Sequence, residues 1–181
     1  DAENDLVLLS ARHKDAIVAV NKEDKSLAWI LGDPTGWDGV DQSYFFTPEG
    51  EDFEWFYAQH NVSILDNGDI ALFDNGTAKV KRVDGDNRVS GDNVYSRAVV
   101  YQIDTENMTV SQVTEYGKER GADWYSDWIS GVVSLDGTQD HLWITAGSHL
   151  HSDEENRSDY YPKDMFVQGL TKTTHIDQVD N

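Results

Sequence analysis

The chain has 181 residues, room for one ordinary domain with a real core, and its formal net charge of -20 comes from 34 acidic against 14 basic side chains. That balance repels phosphate backbones and anionic lipid surfaces, so neither nucleic acid nor membrane is an expected partner. Cysteine is absent, which excludes disulfides, thiolate catalysis and zinc-thiolate chemistry, and no apolar run or charged-then-apolar leader suggests a spanning segment or signal peptide in the chain as it stands.

Short β-type runs bounded by Gly, Asn or Asp recur along the chain, and helical periodicity is nearly missing. Strands are expected, in order, at 6–11, 16–20, 27–31, 53–58, 62–65, 70–74, 97–103, 109–116, 132–135, 142–146 and 165–170. The connections carry hairpin chemistry: Asn21 to Lys25, then Asp66-Asn67-Gly68-Asp69, then Asp136-Gly137-Thr138. Two longer polar segments, 33–52 and 77–93, read as surface loops. The fold class is therefore all-β, built from antiparallel meanders.

A repeat emerges once those loops are set aside. The hairpin from Ala16-Ile17-Val18-Ala19-Val20 into Trp29-Ile30-Leu31-Gly32 parallels the one from Ala98-Val99-Val100-Tyr101 into Val113-Thr114-Glu115-Tyr116-Gly117. Likewise Asn61 to Leu72 parallels Ser130 to Gly137. Four strands per unit, repeating roughly every 65 to 75 residues, are the pattern of β-propeller blades. The expected architecture is a partial β-propeller domain over 1–181, with blade boundaries near 52 and 121 and no second domain. About three blades are too few to close a ring, which needs at least four, so the expectation is a segment of a longer protein or a half that pairs with another copy.

Several residues could carry chemistry in such a segment. His60 opens the innermost strand of the complete blade, where it either bonds a neighbouring carbonyl or faces the central channel, and Asn61 adds a second polar group there. His149, in Gly147-Ser148-His149-Leu150-His151, is either a surface-loop histidine or a site residue. His13 lies in the turn Ser10-Ala11-Arg12-His13-Lys14-Asp15. Arg97 either pairs with one of the many acids or offers a planar fork to a tetrahedral oxyanion. The segments Asp84-Gly85-Asp86-Asn87-Arg88 and Asp66 to Asp69 lack the distal glutamate of a calcium loop, and only His149 and His151 form a local His-x-His pair, so no metal site is expected.

Six segments in order go further: Ser10-Ala11-Arg12-His13-Lys14-Asp15-Ala16-Ile17, Trp29-Ile30-Leu31-Gly32-Asp33-Pro34-Thr35-Gly36-Trp37, Gln59-His60, Phe73-Asp74-Asn75-Gly76, Tyr95-Ser96-Arg97-Ala98-Val99 and Glu115-Tyr116-Gly117-Lys118-Glu119-Arg120-Gly121. Together they resemble the bacterial arylsulfate sulfotransferases. That resemblance implies a six-bladed propeller enzyme, periplasmic and dimeric, that moves a sulfuryl group from a phenolic sulfate ester to a phenol through a sulfated histidine, with no nucleotide donor and no cofactor. It implies His149 as nucleophile with His151 as the fallback, and His60 as the group that binds the sulfuryl oxygens or protonates the leaving oxygen. An arginine role falls to Arg97, with Lys79 and Arg82 nearer the Asp-Asn-Gly motif, while Asn61 and His13 line the substrate. A histidine from an earlier blade and the family cysteines are missing, so the 181 residues alone are expected to be inactive. The competing reading is a non-catalytic propeller module that binds a ligand or protein, with Trp55, Trp124, Tyr125 and Trp128 as stacking groups.

Overall fold

The computed structural model describes residues 1–77, 95–151 and 171–180, and within them the chain is all-β with only short 3-10 turns between strands. Strands β1 (Leu6–Ala11), β2 (Ala16–Asn21) and β3 (Leu27–Gly32) form an antiparallel sheet in that order. A five-stranded sheet follows, ordered β4-β8-β7-β6-β5, from β4 (Thr47–Glu49), β5 (His60–Ile64), β6 (Ile70–Asp74), β7 (Arg97–Asp104) and β8 (Thr109–Tyr116). The third sheet, ordered β11-β10-β9, holds β9 (Ser130–Ser134), β10 (His141–His151) and β11 (Thr171–Asp180).

The middle sheet is covered on both faces, which explains why β6 is buried throughout and apolar from Ile70 to Phe73 rather than alternating. With side chains pointing to opposite faces in turn, Ile70, Leu72, Val99 and Tyr101 pack toward Ile17, Trp29 and Leu31 of the first sheet. Their neighbours Ala71, Phe73, Ala98 and Val100 pack toward Val132, Leu142 and Ile144 of the third. Each fully buried Leu, Ile, Val or Phe contributes roughly 1.5–3 kcal/mol, so these two interfaces dominate the stability. The outer face of the first sheet is closed by the segment after β3, where Phe45, Trp37 and Val40 cover Ala16 and Ile30.

Two features depart from the sequence reading. The expected strand at 53–58 is not a strand: most of its backbone hydrogen bonds are to distant side chains instead of a ladder, while the Tyr57 carbonyl accepts from the backbone N–H of Gly76. Tyr57 N donates to Asp74 Oδ1 at 2.8 Å, Ala58 N to Asp15 Oδ1 at 2.6 Å, and the Glu54 carbonyl accepts from Arg97 Nη2 at 2.9 Å and from the Tyr101 hydroxyl at 2.6 Å. Conversely, the expected loop at 33–52 contains β4, three residues paired in parallel with β8. Pro48 is tolerated there because β4 is the edge of its sheet. The expected strand at 165–170 and most of the expected loop at 77–93 lie outside the described residues.

Candidate functional site

His60 is the first residue of β5 and is partly exposed. It is placed by the preceding Gln59, whose buried side-chain amide Nε2 donates to the Ala16 carbonyl at 2.8 Å and to Ser10 Oγ at 3.2 Å, tying the entry of β5 to the first sheet. The His60 ring is then held from the other side, its Nδ1 lying 2.7 Å from Asn75 Oδ1. Asn75 is fully buried just past the end of β6, and its Nδ2 donates to the Ser126 carbonyl at 2.7 Å. Next to it Gly76 has φ +68, and a Cβ there would stand 2.3 Å from the Tyr95 carbonyl oxygen, so the Asp-Asn-Gly corner requires glycine.

From Asn75 the polar network crosses into the third sheet. Ser130 Oγ, at the start of β9, lies 3.4 Å from Asn75 Nδ2 and 2.9 Å from Ser126 Oγ, and it accepts from Gly147 N at 3.2 Å. Gly147 precedes His149 by two residues, and the β10–β11 register shifts between Ala146 and His149. A Cβ on Gly147 would fall 1.6 Å from the Ile129 carbonyl oxygen, so the backbone approach to His149 is set by close packing. The strand segment carrying His149 is thus stitched to the strand end carrying His60 by a serine and an asparagine.

Asn61 lies alongside, exposed, with φ 51; its Oδ1 accepts from Val132 N at 2.9 Å, another link from β5 to β9. Ala58 at φ 56 and Ile129 at φ 51 also hold left-handed backbone, an unfavourable conformation for a β-branched residue in particular, so strain gathers around this end of the sheets. His13 sits exposed on the 3-10 turn between β1 and β2. Its neighbour Arg12 reaches the Asp127 carbonyl at 3.1 Å, the same oxygen that accepts from Thr77 Oγ1 at 2.7 Å, which places that turn next to the Asn75 corner. Lys79 and Arg82 lie outside the described residues.

Arg97 is built differently from an oxyanion ligand. Its guanidinium is fully buried, with Nε on Asp74 Oδ2 at 3.0 Å, Nη1 on Gln112 Oε1 at 2.9 Å and on Glu115 Oε2, and Nη2 on the carbonyls of Glu54 and Trp55 and on the Tyr101 hydroxyl. All five N–H donors are engaged within the protein. Burial pushes the Tyr101 phenol far above its ordinary value, so the residue stays a neutral hydroxyl in this network. Asp74 in turn accepts from Tyr57 N and Gly76 N, so the Arg97 cluster braces the Asp-Asn-Gly corner from behind. Arg97 therefore sits where it can support the site and not where it can contact a substrate.

Composition and motif reading singled out His60, Asn61, His13 and His149 but passed over Asn75, Ser126 and Ser130. Asn75 stands in the signature segment Phe73-Asp74-Asn75-Gly76 and Ser130 opens a repeat unit, but neither pattern assigns the residue a role, and Ser126 lies in a stretch with no pattern of its own. Chemically, the arrangement offers one oriented imidazole and a rigid backbone approach to a second.

Comparison with known proteins follows the same lines. The profile of the arylsulfotransferase (ASST) family matches residues 1–181. The chain is 31% identical over 191 residues to arylsulfate sulfotransferase AssT of Escherichia coli O6:H1, covering 93% of this chain and 31% of that protein. Against arylsulfate sulfotransferase AssT of Lelliottia amnigena it is 32% identical, with the same coverage. The chain thus spans a little under a third of the relatives' length, and on a match that runs from its first residue to its last, it belongs to the arylsulfotransferase family.

Proposed function

We propose that this chain supplies part of the active site of a β-propeller arylsulfate sulfotransferase, transferring a sulfuryl group from a phenolic sulfate ester to a phenol without a nucleotide donor. The observation that carries the reading is the His60–Asn75–Ser130–Gly147 network, which ties an oriented imidazole to the backbone bearing His149. Periplasmic location and a homodimer belong to the same proposal and rest on family membership, while blade boundaries near 52 and 121 rest on the sequence repeat.

In this scheme the neutral His149 imidazole attacks sulfur, an N–S bond forms, and the ester S–O bond breaks with the electron pair leaving on the phenolate. His60 delivers a proton to that oxygen. In the second half the acceptor phenol attacks sulfur, the N–S bond breaks back onto His149, and His60 takes the phenol proton. Charge on the sulfuryl oxygens is met by fixed N–H donors, with Asn61 and His13 at the rim and Arg97 acting from behind as a positioning residue.

The test is to incubate the full-length protein with a radiolabelled aryl sulfate, quench, and map the label. Label on His149 that disappears in His149→Ala and is discharged by added phenol supports the proposal. Absence of any protein-bound label during active turnover, or label on another residue, sinks the sulfohistidine scheme; absence of turnover in the full-length protein favours a binding module.

A further inference from the structure

Asn75 has an orientation that chemistry leaves no freedom to reverse. Of its two terminal atoms, one lies 2.7 Å from the Ser126 carbonyl oxygen, which can only accept, so that atom must be the amide nitrogen. The other is then the amide oxygen, and it lies 2.7 Å from His60 Nδ1. An oxygen acceptor at that distance demands a proton on Nδ1. Asn75 itself is anchored: its side chain is fully buried, and its backbone carbonyl accepts from Ser96 Oγ, which also accepts from Ser126 N.

We infer that Asn75 is the positioning residue that fixes His60 as the Nδ1–H tautomer, leaving Nε2 as the nitrogen that exchanges a proton with the substrate oxygen. This rests on the reading of His60 as an acid and base in sulfuryl transfer. In the sulfated enzyme His60 is neutral, and its Nε2 carries a lone pair that accepts the proton of the acceptor phenol as the phenol oxygen bonds to sulfur. When the sulfated enzyme forms, the same nitrogen starts protonated and gives its proton to the departing phenolate, and the acceptor phenol restores it in the second half. The proton count closes over one full cycle, and Nδ1 keeps its proton on Asn75 throughout. A neutral amide suits this task because it orients the ring without adding a charge that would lock the imidazolium form.

The test uses the full-length protein labelled with 15N-histidine. Long-range proton–nitrogen correlation on the neutral form should show His60 Nδ1 as the protonated, pyrrole-type nitrogen and Nε2 as the bare one. A wild-type spectrum with the proton chiefly on Nε2 overturns the inference, whatever any variant does. Asn75→Ala should shift the population toward Nε2–H, and Asn75→Asp, which keeps an oxygen facing Nδ1, should retain Nδ1–H; an Ala variant with an unchanged tautomer also overturns it. Kinetics supply a readout that mere loosening would not move. With donors of increasing phenol pKa, Asn75→Ala should lose about 10-fold for the best leaving group and about 100-fold or more for the poorest, because only poor leaving groups need the proton. A loss uniform across donors counts against a role in proton transfer. Should His60→Ala leave turnover intact, the acid–base reading fails while the tautomer result stands separately.

Discussion

Replacing Arg97 by methionine separates a buried structural role from contact with substrate. The substitution removes the partner of Asp74, a carboxylate with no solvent exposure, and strips donors from the Glu54 and Trp55 carbonyls and from Glu115. Breaking a buried pair by deleting one member costs about 3–5 kcal/mol, because the remaining charge stays buried and uncompensated. Against a typical total of roughly 5–15 kcal/mol this is a large share. With a urea slope of about 2 kcal/mol/M, the unfolding midpoint should fall by about 2 M, followed by tryptophan fluorescence. Adding Asp74→Asn should make the double variant less unstable than the two single losses summed, by about 2 kcal/mol, since the stranded charge is gone. An Arg97→Met protein with an unchanged midpoint and turnover reduced about a thousandfold would refute the reasoning and return Arg97 to the sulfuryl oxygens.

Gly147→Ala should lower stability by about 1–3 kcal/mol, because the new Cβ would stand 1.6 Å from the Ile129 carbonyl and the strand must shift. Turnover, measured well below the variant's midpoint, should fall further than the unfolded fraction explains, and a fully active variant would show that the approach to His149 tolerates displacement. In the β9–β10 turn, hydrogen bonds from Thr138 and then His141 hold the Asp136 carboxyl down to about 2, from an ordinary 3.8. A depressed carboxylate adds stability that is present above its unfolded value and lost as pH falls through the folded one. Asp136→Asn should therefore flatten the fall of Tm between pH 3.8 and about 2, and parallel curves for the two proteins would contradict that assignment.

Most strands were legible in the chain because alternation and turn chemistry are local properties. Leu6 to Ala11, Ile70 to Asp74 and Thr109 to Tyr116 are bounded in the structure as their residues imply, and Asp66-Asn67-Gly68-Asp69 makes the hairpin that its composition calls for. The β5–β6 and β7–β8 pairs follow from short antiparallel connections, and β6 and β7 pair across the longer segment between Asp74 and Arg97, which puts His60 at a strand start and Arg97 on the third strand of the order β5-β6-β7-β8. The six signature segments were enough to name the family.

Other features depended on groups far apart in sequence. Segment 53–58 has the aromatic content of a strand, yet Asp15, Asp74 and Arg97 supply its hydrogen bonds, and nothing within six residues could reveal that. Thr47 to Glu49 becomes a strand only because β8 presents an open edge. An arginine ahead of an apolar run is equally suited to an anion or to a buried carboxylate, and the convergence of Asp74, Gln112 and Glu115 decided for the latter. The pairing of His60 with Asn75 needed the β5–β6 hairpin to close and the Ser126 carbonyl to arrive from 51 residues away. Periodicity is written in neighbouring residues, whereas the orientation of a polar side chain is set by whichever donors and acceptors folding brings to it.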